Sequence, residues 1–256
     1  MIQIRDVWKR YGTVDVLKGL SLEAKRGEIL VILGRSGVGK SVLLRHIIGI
    51  EKPDRGTIEV NGMMISELKK GQLYQAVRHM GMLFQGSALF DSMNIEENTG
   101  FYLRQHGDAT TGRPFTKEEL ARRVDEALKM VGLEGTQKKM PSDLSGGMRK
   151  RAGLARLIVY RPLILLYDEP TTGLDPITSQ QINELIVKTQ NELKGTSIVV
   201  THDINSALYM ADKMALHSDG KLIHISDPET FMKTDDPIIN FLRESLSHQT
   251  RKKSTV

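Results

Sequence analysis

An α/β fold with a central parallel sheet is predicted by three stretches of this 256-residue chain. Ile29 to Leu33 is a short, β-branched apolar run of the kind buried on both faces of such a sheet. It leads into Gly34-Arg35-Ser36-Gly37-Val38-Gly39-Lys40-Ser41, a match to G-x-x-x-x-G-K-[ST], after which Leu43, Leu44, Ile47 and Ile48 recur at helical spacing. A second apolar run, Leu163 to Tyr167, ends in the adjacent acids Asp168 and Glu169, and ligands of open α/β sheets gather at strand C-terminal ends.

The order strand, loop, helix gives the glycines their meaning. Without Cβ atoms in the way, successive backbone N–H groups turn inward around phosphate, and the new helix aims its positive end at the same point. Lys40 is placed to contact the β- and γ-phosphates of a nucleotide, and the Ser41 hydroxyl to ligate Mg²⁺, a hard cation that takes oxygen ligands and shares them with the nucleotide. On the other strand, extended geometry predicts that Asp168 and Glu169 point to opposite sides. Asp168 then holds Mg²⁺ through its water shell while Glu169 reaches a water in line with the γ-phosphate.

Earlier in the chain, residues 2–8 and 14–22 alternate as two short strands joined by Lys9-Arg10-Tyr11-Gly12. Tyr11 in that turn either stacks on an adenine face or is an ordinary surface residue. Beyond the phosphate-loop helix, Thr57 to Val60 reads as a strand and Asn61-Gly62 as a hairpin turn, so antiparallel strands accompany the parallel ones. Met80 to Phe84 is a further buried strand. Gln85 at its end is either a loop hydrogen bonder or a contact to Mg²⁺ or the attacking water. Met80, Met82 and Met93 flank it, the first two read as core residues, and a methionine-lined groove there would suit a partner helix.

From about 91 to 160 the pattern turns helical, which predicts an inserted α-helical subdomain. Thr116-Lys117-Glu118-Glu119 is a capping box opening a helix whose apolar face is Leu120, Val124, Leu128 and Val131, and Gly132 closes it. Leu144-Ser145-Gly146-Gly147 precedes another helix and exposes N–H donors without side-chain bulk, by itself a weak sign of an anion site. The last strand, Thr196 to Thr201, ends in His202, either a structural residue or an imidazole that bonds the γ-phosphate and orients Glu169.

Composition narrows the class. With 39% hydrophobic and 26% charged residues the chain can bury one large core. No run reaches the ~18 apolar residues of a membrane span, and the charged N-terminus lacks a signal-peptide stretch, so a cytoplasmic location is expected. The absence of cysteine excludes disulfides and thiol chemistry. A net charge of +5 is spread rather than blocked, and no aromatic-basic RNA signature occurs.

Tyr11, Gly34 to Ser41, Gln85, Leu144 to Gly147, Leu163 to Glu169, Gly173-Leu174-Asp175 and His202 together resemble the nucleotide-binding subunit of ABC transporters, in that family's order over about residues 2–225. The resemblance implies a P-loop NTPase (RecA-like) core with an antiparallel β subdomain and an inserted helical subdomain, spanning 1–235. It implies that ATP and Mg²⁺ are bound by Tyr11, Gly34, Arg35, Ser36, Gly37, Val38, Gly39, Lys40, Ser41 and Val42. Ser41, Gln85 and Asp168 serve the metal, Glu169, His202 and Gln85 serve hydrolysis, and Asp175 is the D-loop aspartate. Ser145, Gly146 and Gly147 close over the nucleotide of a second copy in a head-to-tail homodimer. The wording of GKSVLLRHIIG, LFQGSALFDSMNIEEN, LSGGMRKRAGLAR and YDEPTTGLDPITS is similar to the ATPases of Mce-associated, Mla-type phospholipid transporters. That similarity implies an integral membrane permease as partner, a Mce-domain lipid-binding protein, a small STAS-domain regulator and a place on the cytoplasmic face of the inner membrane. A cassette for another solute is the nearest alternative. A cassette acting on nucleic acid or ribosomes is disfavoured, since no second cassette or heptad run is present.

Residues 236–256 lie past these motifs. Asp236 is a good N-cap, Pro237 suits the first helical position, and Ile238, Phe241, Leu242 and Leu246 form one stripe that must dock on the chain itself or on a second subunit. Ser247 to Val256, polar with Arg251-Lys252-Lys253, is expected to be a disordered end.

Overall fold

The computed structural model describes residues 2–108 and 110–253, those from 247 onward as backbone. The N-terminal part pairs β1 (Ile2–Tyr11) with β2 (Val14–Ala24) and, after β3 (Ile29–Leu33) and α1 (Lys40–Ile47), adds β4 (Arg55–Val60) and β5 (Met63–Met64). These form a four-stranded antiparallel sheet in the order β2-β1-β4-β5. Asn61 and Gly62 both have positive φ, 50° and 82°, between the paired Val60 and Met63, as a two-residue hairpin of strand-matching twist requires.

The middle of the chain supplies α2 (Lys70–Val77), β6 (Met80–Leu83), α3 (Ile95–His106), α4 (Lys117–Met130) and α5 (Gly146–Ile158). Then follow β7 (Ile164–Asp168), α6 (Pro176–Leu193), β8 (Thr196–Thr201), α7 (Ile204–Met210), β9 (Lys213–Ser218), β10 (Lys221–Ser226), α8 (Pro228–Lys233) and α9 (Pro237–Lys253). A six-stranded sheet runs β10-β9-β3-β8-β7-β6, parallel except for the antiparallel β10 edge.

Every residue of β3, β7 and β8 is buried, and their alternation divides them between two cores. Val31, Leu33, Leu165, Tyr167 and Val199 face one core, shared with α4 and α5. Leu30, Ile32, Leu166, Ile198 and Val200 face the other, shared with α1 and the antiparallel sheet. A strand with apolar partners on both faces is hydrophobic at consecutive positions, hence the runs in β3 and in the middle of β7 and β8, with the polar residues kept to the strand ends. The capping box on α4 is formed, with Glu119 N donating to Thr116 Oγ1 at 3.2 Å and Thr116 N donating to Glu119 Oε2 at 2.9 Å. No described helix is long and apolar enough to cross a membrane.

Three local expectations are corrected. β1 continues through Tyr11 and the turn is Gly12-Thr13, because irregularities between Ile4 and Val7 and between Lys9 and Arg10 break the alternation without ending the pairing. The C-terminal stripe differs at one member: Ile238, Leu242 and Leu246 pack on the main core as expected, but the fully buried residue is Ile239 and Phe241 is 67% exposed. Finally, α9 does not stop after Leu246. Ser247 to Lys253 continue it, with no glycine or proline to break the helix; 254–256 lie outside the described residues.

Because α9 docks on its own chain through Ile239, Ile239→Ala is expected to lower unfolding free energy by about 2–4 kcal/mol. Phe241→Ala should change it by less than about 0.5 kcal/mol. Urea titration of the two variants measures both.

Candidate functional site

The glycine loop hangs over the C-terminal edge of the parallel sheet because β3 ends at Leu33 and α1 starts at Lys40. Gly37 and Gly39 have φ of 82° and 106°, backbone that L side chains rarely adopt, and a Cβ on Gly39 would lie 2.6 Å from Val16 Cγ1. Gly34 is closed in from behind: a Cβ there would meet the His217 carbonyl oxygen at 3.0 Å. Loop and helix N-terminus thus form one wall of a cavity of about 290 Å³, with Gln85, Glu169, Thr172 and His202 on the other.

β7 supplies the acids. Ser41 Oγ donates to Asp168 Oδ1 at 2.8 Å, while Lys40 Nζ lies 3.0 Å from Glu169 Oε1. The two carboxylates therefore meet consecutive residues, the first two of α1. Glu169 has left the strand, with φ of 48°, so the alternation of extended backbone no longer governs it. The second Glu169 oxygen, Oε2, accepts from His202 Nδ1 at 2.8 Å and from Thr172 Oγ1 at 3.0 Å. Lys40 also donates to the carbonyls of Gly34 at 2.6 Å and Arg35 at 2.9 Å.

Electrostatically the pocket is an acid pair facing the buried ammonium of Lys40, with that of Lys150 also in its field. Burial pushes the Asp168 carboxyl above its ordinary range, with the neighbouring Glu169 charge adding to it, against the Ser41 hydrogen bond and the Lys40 charge. No group of three or more His, Asp or Glu forms a cation cage among the described residues. The donors on hand, Ser41 Oγ, an Asp168 carboxylate and the nearby Gln85, fit Mg²⁺, which keeps waters and phosphate oxygens among its ligands and needs few from protein.

The structure brings together Ser36, Gly37, Gly39, Lys40, Ser41, Val42, Gln85, Glu169 and His202 around this cavity, with Asp168 directly behind Ser41. Tyr11 is elsewhere, at the end of β1, with its hydroxyl donating to the Glu51 carboxylate and its ring half exposed. Arg35 contributes its carbonyl, and Val38 packs beside Gly34. Ser145 caps α5 by accepting from Met148 N at 3.3 Å, and Ser145 and Gly146 are exposed. Asp175 caps α6 in the same way, accepting from Ile177 N and Thr178 N at 3.0 Å each. Two wall residues escaped the sequence reading. Thr172 carried a usable signal, three residues past Glu169 in a tight turn, whereas Val16 carried none, since only the fold of β2 brings it near the loop.

Residues 17–172 match the family described as "ABC transporter". Among curated proteins the chain is similar to the probable ribonucleotide transport ATP-binding protein mkl of Mycobacterium leprae, 38% identical over 238 residues, covering 93% of this chain and 67% of that one. It spans 65% of the Mycobacterium tuberculosis counterpart, so about two thirds of the length of these relatives is matched. The chloroplastic protein trigalactosyldiacylglycerol 3 of Arabidopsis thaliana is 33% identical over 255 residues, covering 93% of this chain and 72% of that one. Among solved structures, an ATP-binding cassette captured as a dimer in a post-hydrolysis state with ADP and Pi superposes with a TM-score of 0.81 at 32% identity, over 89% of this chain and 98% of that one.

A carboxylate whose pKa is raised on folding opposes folding above its unfolded pKa, about 3.9 for aspartate. Asp168→Asn keeps an oxygen to accept from Ser41 and removes that cost. The nucleotide-free variant should melt higher than wild type at neutral pH, and the gain should vanish as pH falls through the window from the raised folded value to about 3.9. Scanning calorimetry across pH measures it.

Proposed function

Because the chain belongs to the ABC transporter family of ATP-hydrolysing cassettes, we propose that it is the ATPase subunit of a transporter that moves phospholipid between membranes. The observation that carries the enzymatic part is the Glu169 carboxylate, fixed between Lys40 on one oxygen and His202 and Thr172 on the other, at the mouth of the glycine loop.

The chain's groups divide the work. Lys40 and the N–H groups from Ser36 to Ser41 bind the β- and γ-phosphates of ATP, and Val38 and Gly34 hold the loop open to them. Arg35 and Val42 flank the cradle, and Tyr11 serves the adenine. Lys40 pairs with Glu169 when no phosphate competes, so arriving phosphate draws off the ammonium and leaves the carboxylate free to take a proton from water. His202, donating through Nδ1, keeps Oε1 turned toward the cavity. Ser41, Gln85 and Asp168 would hold Mg²⁺, which would supply positive charge to offset that on the phosphate oxygens. Ser145 and Gly146 are exposed at the start of α5 and, with Gly147, do not line the chain's own cavity, and this supports a head-to-tail homodimer in which the three and Asp175 complete the site of a second copy.

The family supports an integral permease as partner; the Mla-type wording of the motifs extends the proposal to a Mce-domain lipid-binding protein and a STAS-domain regulator, with the cassette on the cytoplasmic face of the inner membrane. The phospholipid reading rests on the Mla-type wording of the motifs and is supported by a relative named for a galactolipid. The mycobacterial relative's name favours a second reading, ribonucleotide transport.

Glu169→Gln should retain ATP binding while hydrolysis falls ~10²- to 10⁴-fold, the range for losing a general base, and Lys40→Ala should lose binding itself. Wild-type turnover in Glu169→Gln would sink the assignment of the base. Mass spectrometry of small molecules co-purifying with the membrane complex tests the cargo: phospholipid is expected, and a ribonucleotide or other water-soluble solute alone would reject it.

A further inference from the structure

Lys150 is buried, with 6% of its surface exposed, yet its ammonium has one protein acceptor, the backbone carbonyl of Gln85. Burying a cation on a single neutral partner costs stability that a methionine of similar length would not. Burial pushes the Lys150 ammonium pKa down, while the charges of Asp168 and Glu169 pull it back up, so it lies within the field of the acid pair.

Lys150 does not act alone. Gly153 and Arg156 follow it at three-residue spacing on the same face of α5. A Cβ on Gly153 would meet Ser87 Cβ and the Ser87 carbonyl at 3.1 Å each, so the helix backbone lies directly on the segment after Gln85. Arg156 donates to the Ala88 carbonyl and its guanidinium sits 4.5 Å over the Phe90 ring. That segment is strained: Ser87 and Ala88 are consecutive non-glycine residues with φ of 64° and 48°. Strain of this kind persists only where the surroundings enforce it. The same helix begins at Ser145-Gly146-Gly147, about 7.5 Å of axial rise from Lys150.

We propose that Lys150 is a positioning residue that fastens the Gln85 backbone to α5 and so sets the reach of the Gln85 side chain into the phosphate cavity. The inference rests on the role given above to Gln85.

The test is a double-mutant cycle on the full chain, reading ATP turnover, affinity for a fluorescent ATP analogue and thermal melting. Lys150→Met should lower kcat about tenfold or more, with KM and analogue affinity within about twofold of wild type. Lys150→Arg, which keeps the cation, should restore most of the loss. In a Gln85→Ala background, Lys150→Met should cost less than about twofold further, because both act through one side chain. If the two losses multiply while Gln85→Ala is itself slow, the link between Lys150 and Gln85 is overturned and the role of Gln85 stands. If Gln85→Ala turns over at the wild-type rate, that role falls and this inference with it. Loss of analogue binding and early melting in both Lys150 variants would make the residue structural and overturn the proposal.

Discussion

Lys40 and Glu169 form an ion pair at 3.0 Å with side chains 5% and 9% exposed, and the arrangement of the whole site depends on it. Removing either partner leaves a largely buried charge with only neutral or partly exposed partners, so the pair costs more to break than to keep. It closes because β3 and β7 both lie beside β8 in parallel register, which brings the ends of two distant segments to one edge of the sheet. A strand turned the other way would put Glu169 at the opposite edge. The pair is also provisional: a lysine neutralised by a carboxylate is ready to be claimed by a stronger anion, and the phosphates of ATP carry more charge than one glutamate.

The parts legible from sequence are those governed by local rules. The glycine loop, the buried strands, the capping box at Thr116 and Glu119 and the Asn61-Gly62 hairpin were all readable, since spacing and backbone conformation decide them. Misreadings arose where a long-range or irregular feature overrode the local pattern. β-Bulges in β1 masked its continuation to Tyr11, and nothing local marked Glu169 as a left-handed residue already outside the strand. The C-terminal stripe differed at one member because only the packed core distinguishes Ile239 from Phe241. Lys150 left no mark at all: a lysine on a basic helix reads as solvated until the neighbouring loop is seen to bury it.

Helix α5 links the two halves of the account. Its exposed start presents Ser145 and Gly146 outward, and its flank holds the carbonyls of Gln85 and Ala88 inward. Both attachments lie on one helix, so the segment carrying Gln85 and the exposed Ser145 and Gly146 are held in fixed relation to each other. The C-terminal helix α9 sits on the same side of the sheet, packed on the core that α5 shares, so it braces this arrangement from within the chain.

The central claim, that each ATP is hydrolysed between Lys40 and Glu169 of one copy and Ser145 to Gly147 of another, is tested most directly by complementation in the assembled transporter. Lys40→Ala removes one half of a site and Ser145→Arg obstructs the other, so either variant alone should be inactive. Mixed complexes carrying one copy of each contain a single intact composite site and should regain hydrolysis well above both parents. A mixture as inactive as its components, or a Ser145→Arg protein that hydrolyses ATP by itself at the wild-type rate, would contradict it.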